Sequence, residues 1–133
     1  MASVVPHNGS SVVHGRQDSA HPHSFVASLR DGVAYACDLG QDLVITYAIA
    51  EDGGLKELAR TLGGRGEGPR HLVQHPTAPF AYVVNELART VRVFAITSPG
   101  GELASLSSFS TLLGHDEVSS HTKPAELAIS PDG

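Results

Sequence analysis

The 133 residues are 41% hydrophobic and 17% charged, with 14 glycines, 8 prolines and no tryptophan, a globular composition rich in turns. A net charge of -5 with only 9 scattered Lys and Arg excludes a nucleic-acid or anionic-membrane surface, because such partners need clustered cations to replace counterions. The single cysteine, Cys37, leaves no intrachain disulfide framework and no four-thiolate zinc site.

The first eleven residues hold no basic stretch leading into an apolar run, and no segment approaches the ~20 apolar residues of a membrane helix. With one cysteine and a reducing compartment as the default, a soluble, cytoplasmic protein is expected. From residue 24 onward, apolar residues come in short, alternating bursts punctuated by turn residues, the pattern of strands and not of helices with a 3.6-residue period. In chain order the bursts are 24–29, 33–38, 43–49, 58–62, 72–75, 80–85, 91–96 and 106–111. A ninth, 126–130, is expected to open just before a Ser130-Pro131-Asp132-Gly133 turn. β-Branched and aromatic residues fill most of them, as in Val44-Ile45-Thr46-Tyr47 and Val91-Arg92-Val93-Phe94. The class is all-β, with no room for a helix of ordinary length.

The chain also repeats itself. Sliding it by 47 positions lays Val33-Ala34-Tyr35 on Phe80-Ala81-Tyr82 and Leu43-Val44-Ile45 on Thr90-Val91-Arg92. Both copies then reach a Gly-Gly and a leucine, Gly53-Gly54-Leu55 and Gly100-Gly101-Glu102-Leu103, with one extra residue in the second. A repeat of ~40–50 residues holding four short antiparallel strands describes a β-propeller blade. The expected units are 24–70 and 71–124, with a third beginning at 125. A blade buries both faces against its neighbours in a closed ring, so two blades and the start of a third are expected to be part of a longer chain.

The string Gly66-Glu67-Gly68-Pro69-Arg70-His71-Leu72, followed by Asn85-Glu86-Leu87, resembles the lactonase family of seven-bladed propellers. Arg16-Gln17, His21-Pro22-His23-Ser24 and Asp38-Leu39-Gly40-Gln41-Asp42 fit the same pattern in order. The family includes bacterial-type 6-phosphogluconolactonase and 3-carboxy-cis,cis-muconate lactonizing enzyme. The resemblance implies a small anionic lactone as substrate, no cofactor, and a catalytic cluster at one mouth of the central channel. It assigns His23 (or His21), Arg70 and Glu86 to catalysis; His21 and His71 are expected as substrate-binding neighbours, with a structural role as the alternative for His71. A further arginine from a later blade is expected beyond Gly133, and with it little or no turnover by these residues alone.

Residue chemistry agrees. The Arg70 guanidinium is a fixed fork suited to a carboxylate or phosphate. Glu86 follows a strand end and is expected to activate water if partial burial raises its pKa, with His23 as the other candidate base. The 47-residue shift sets His23 opposite Arg70. Hydrolysis of a sugar-acid lactone and muconate-type lactonization both fit this trio. A propeller-derived binding module, in which the three are replaceable, is the non-enzymatic alternative.

His21 and His23 share one side of a strand, but no third ligand is fixed by spacing, and no metal is expected. His75, before Pro76, reads as a turn residue. Gly66 and Gly68 read as turn glycines and not as a phosphate loop, since no helix follows. The polar loop 115–123 carries no assignable chemistry, and no oligomeric state is indicated.

Overall fold

The computed structural model describes residues 4–30, 32–97, 99–112 and 122–133. Eight strands form two four-stranded antiparallel sheets of simple meander order. The first holds β1 (Pro22–Ala27), β2 (Val33–Asp38), β3 (Leu43–Ile49) and β4 (Leu55–Leu62). The second holds β5 (Pro69–Gln74), β6 (Phe80–Asn85), β7 (Thr90–Ile96) and β8 (Leu103–Ser110).

The repeat read from the sequence is a repeat of structure. β1, β2 and β3 each precede their counterparts by 47 residues, and β4 precedes β8 by 48, so the extra residue falls in the turn that carries the Gly-Gly pair. The irregularities repeat as well. Bulges fall between Pro22 and Ser24 and between Pro69 and His71, and again at Thr46/Tyr47 and Val93/Phe94. Asp42 and Arg89, 47 apart in the turns after β2 and β6, both take positive φ, 59° and 56°.

Between the sheets lies the core. Alternate residues Val33, Tyr35 and Cys37 of β2, with Val44 of β3, pack onto Leu72, Ala81, Val83, Phe94 and Leu103 of the second sheet. Each large apolar side chain buried there is worth about 1.5–3 kcal/mol relative to exposure. The opposite face of the first sheet carries Ala36, Ile45 and Tyr47, with Val5 and Leu55 packed on them. Gln74 bolts the sheet ends together. Its Nε2 donates to Ala27 O at 3.1 Å, and its Oε1 accepts from Leu29 N at 3.1 Å and Ser28 Oγ at 3.2 Å.

Two expectations need correction. β4 and β8 start three residues earlier than the apolar bursts, because Lys56 and Glu57, and Ala104 and Ser105, sit on exposed edge strands where no apolar pattern is required. Residues 126–130 form no strand. A strand needs a ladder partner, and among the described residues this segment has none. It lays Leu127, Ala128 and Ile129 over Val73, Tyr82 and Val91 on the outer face of the second sheet, and closes in the expected turn with Gly133 N donating to Ser130 O at 3.0 Å.

Candidate active site

The junction of the two sheets gathers the cluster. Glu86 follows β6 directly, Arg70 and His71 lie on β5, His23 lies on β1, and Arg16 comes from the loop before β1. Gly68 makes this meeting possible. Its φ of +64° is left-handed, and a Cβ there would stand 2.6 Å from Leu87 Cγ, so only glycine fits the chain's turn into β5. Its carbonyl then accepts from Glu86 N at 2.8 Å.

Glu86 is the centre. Arg16 Nη2 reaches its Oε1 at 2.5 Å, Arg70 Nε its Oε2 at 3.1 Å, and Lys123 Nζ its Oε1 at 3.4 Å. Burial pushes the carboxyl pKa up, but Arg16, Lys123 and Arg70 outweigh it and the net direction is downward. The condition attached to Glu86 as a base, a pKa raised by burial, is therefore not met: Glu86 is an ionised anchor for three cations.

The His23 pKa is lowered too, which for a histidine favours the neutral form. Burial, then the Arg70 charge, and then His71 lower its pKa, which keeps the imidazole neutral near pH 7. Its Nδ1 is buried without a hydrogen-bond partner. The ring of His71 lies 5.5 Å from that of His23, and His21 stacks on the other side at 5.8 Å. His71 also links two charges: Arg70 Nη1 donates to its Nε2 at 3.3 Å, and its Nδ1 meets Glu126 Oε1 at 2.6 Å. A proton on Nδ1 satisfies both contacts. Arg70 Nη1 donates as well to Ala125 O.

The structure thus brings His23, Arg70, His71 and Glu86 together, with His21 one ring further out. His75 is elsewhere, its Nδ1 accepting from Thr77 N and Ala78 N at 3.2 and 3.0 Å, which is the turn role expected of it. Among the described residues no group of three or more His, Cys, Asp or Glu is arranged to hold a metal ion. Arg16 enters the sequence reading only as part of the matching pattern, with no site role, and Lys123 not at all: Arg16 lies 70 residues from Glu86 in an irregular loop, and Lys123 belongs to the polar loop 115–123, of which residues 115–121 lie outside the described part.

Comparison with known proteins follows the same line. Residues 1–133 match the family described as "Lactonase, 7-bladed beta-propeller". The chain is 31% identical to a 6-phosphogluconolactonase of Formosa agariphila over 94% of its own length and 35% of that protein's. A crystal structure from Lactobacillus plantarum superposes with a TM-score of 0.89 at 28% identity, covering 97% of this chain and 37% of that one. The Pseudomonas aeruginosa periplasmic gluconolactonase PpgL superposes with a TM-score of 0.72 at 32% identity, covering 84% and 32%. The chain spans 34–38% of the length of the curated relatives it matches. Among the described residues no helix is long and apolar enough to cross a membrane.

Proposed function

The chain belongs to the lactonase family of seven-bladed β-propellers, and from that premise we propose that it supplies part of the site of an enzyme hydrolysing a sugar-acid lactone, 6-phosphogluconolactone above all. The observation that carries this reading is the Arg70–Glu86 pair at 3.1 Å beside a histidine with a lowered pKa.

In this reading Arg16, Arg70 and Lys123 form the cationic wall that receives an anionic substrate, and Glu86 keeps them from repelling one another. Water attacks the lactone carbonyl and gives its proton to the neutral His23. Arg70 stabilises the developing oxyanion. The ring C–O bond then breaks, and its oxygen takes the proton back to leave the open hydroxy acid. A base of this kind contributes about 10²–10⁴-fold, and one oxyanion donor about 10²–10³-fold. Cys37 takes no part: it is buried, and desolvation pushes its thiol up to about 12.

The test is hydrolysis of 6-phosphogluconolactone by the natural protein, followed as acid release at constant pH. Arg70→Gln and His23→Gln are expected to cut kcat by at least ~10²-fold each. Turnover unchanged in both would reduce the cluster to a structural ion-pair network, and turnover of 3-carboxymuconate alone would shift the activity to lactonization.

A further inference from the structure

Asp42 lies outside the cluster just described, in the turn between β2 and β3. It is 1% exposed, and its φ of 59° is one that aspartate tolerates and glycine prefers. Its two carboxylate oxygens divide their work. Oδ1 accepts from Gln17 Nε2 at 2.7 Å and from Gly68 N at 2.8 Å. Oδ2 accepts from Ser11 Oγ at 2.5 Å and from Gly66 N at 2.6 Å.

The Oδ1 pair is the informative one. Gln17 adjoins Arg16, and Gly68 lies two residues before Arg70, so one oxygen holds the Gln17 side-chain amide, which Leu39 O shares, and the Gly68 backbone N–H. Gly68 is also the residue whose carbonyl holds Glu86 N at 2.8 Å. Both arginines and the carboxylate they share are thus referenced to a single buried atom on the first sheet. At the corresponding place in the second sheet stands Arg89, whose side chain turns outward to Thr122 O at 2.7 Å.

We propose that Asp42 is a positioning residue for the lactone site: through Gln17 and Gly68 it sets the Arg16 and Arg70 guanidinium groups on Glu86. The functional meaning of this rests on the reading of the cluster as the lactone site, but the geometry can be tested without turnover. The titratable and charged groups facing Glu86 are Arg16 from the N-terminal loop, Arg70 from β5, Lys123, and His23, which couples to it when protonated.

Asp42→Gly removes all four acceptor contacts without straining the backbone. By side-chain carboxyl NMR of Glu86, the variant is expected to titrate with an upward-shifted midpoint, and the Arg16 and Arg70 Nε–H signals are expected to move. Ser11→Ala, which touches only Oδ2, is expected to leave that midpoint in place. If Asp42→Gly does not fold, Gln17→Met, which cuts the Arg16 arm, is expected to give a smaller upward shift. A folded Asp42→Gly or Gln17→Met protein with the native Glu86 midpoint overturns the proposal. If the midpoint shifts in a protein that binds no lactone or sugar acid, the functional reading falls and the positioning role stands.

Discussion

Leu39 and Glu86 hold the same place in successive sheets. Each follows the second strand of its sheet, and each donates its backbone N–H to the residue just before the first strand: Leu39 to His21 O at 3.0 Å, Glu86 to Gly68 O at 2.8 Å. The backbone is the same, and the side chain is not. In the first sheet the position is a fully buried leucine; in the second it is a carboxylate holding three cations. One backbone position thus carries an apolar side chain in the first sheet and an ion-paired carboxylate in the second.

Removing that carboxylate therefore does more than delete a candidate catalytic group. Glu86→Gln leaves Arg16, Arg70 and Lys123 facing one another without a counter-charge. A loss of about 1–3 kcal/mol is expected, since hydrogen bonds to charged groups contribute at that level. Urea denaturation checks it, and added salt is expected to recover part of the loss by screening the repulsion.

Stability is expected to rise with pH in two separate steps. Glu86 and Asp38 both have folded pKa values below their ordinary range. For Asp38, burial pushes upward but hydrogen bonds from His21 N, Gln41 and His7 outweigh it. Their contribution is present above the unfolded values of about 4 and is lost as pH falls through the folded ones. His23 is lowered too, by burial first, so the unfolded chain takes up its proton sooner and stability declines as pH falls below about 6.5. Urea midpoints measured from pH 8 to 3 are expected to show both steps, and His23→Gln is expected to abolish only the upper one.

Gly68→Ala is a test of the turn that delivers Arg70. With a φ of +64° and the new Cβ 2.6 Å from Leu87 Cγ, it is expected to cost at least ~1–2 kcal/mol. It is also expected to displace the Glu86 amide signal, because the Gly68 carbonyl moves with the backbone.

The inter-sheet core separates two phenylalanines. Phe94, 1% exposed between the sheets, is expected to cost ~3–5 kcal/mol when changed to alanine. Phe109, 61% exposed on the edge strand β8, is expected to cost within ~0.5 kcal/mol. Thermal melts of the two variants side by side check that the sheets share one core.

The strands legible in the sequence are those with a buried face. β2, β3 and β6 have the limits their apolar alternation indicated, because both of their faces press on neighbours. The edges of β4 and β8 were hidden by Lys56, Glu57 and the serines of β8, which an exposed strand tolerates. Arg70, Glu86 and His23 stood out through motif and repeat register. Arg16, Gln17 and Asp42 act through contacts spanning 24 to 70 residues between irregular segments, where no period links one partner to the other. The charge environment of Glu86 depends on Arg16 and Lys123, which no strand period links to it.

The most direct test is a titration of 6-phosphogluconate, the acid that lactone opening would release, into the isotope-labelled natural protein, followed by NMR. Saturable shifts at the Arg70 and Arg16 Nε–H and the Glu86 amide, abolished by Arg70→Gln, are the expected result. No shift at these groups, or shifts that survive Arg70→Gln, would contradict the assignment of this cluster as the lactone site.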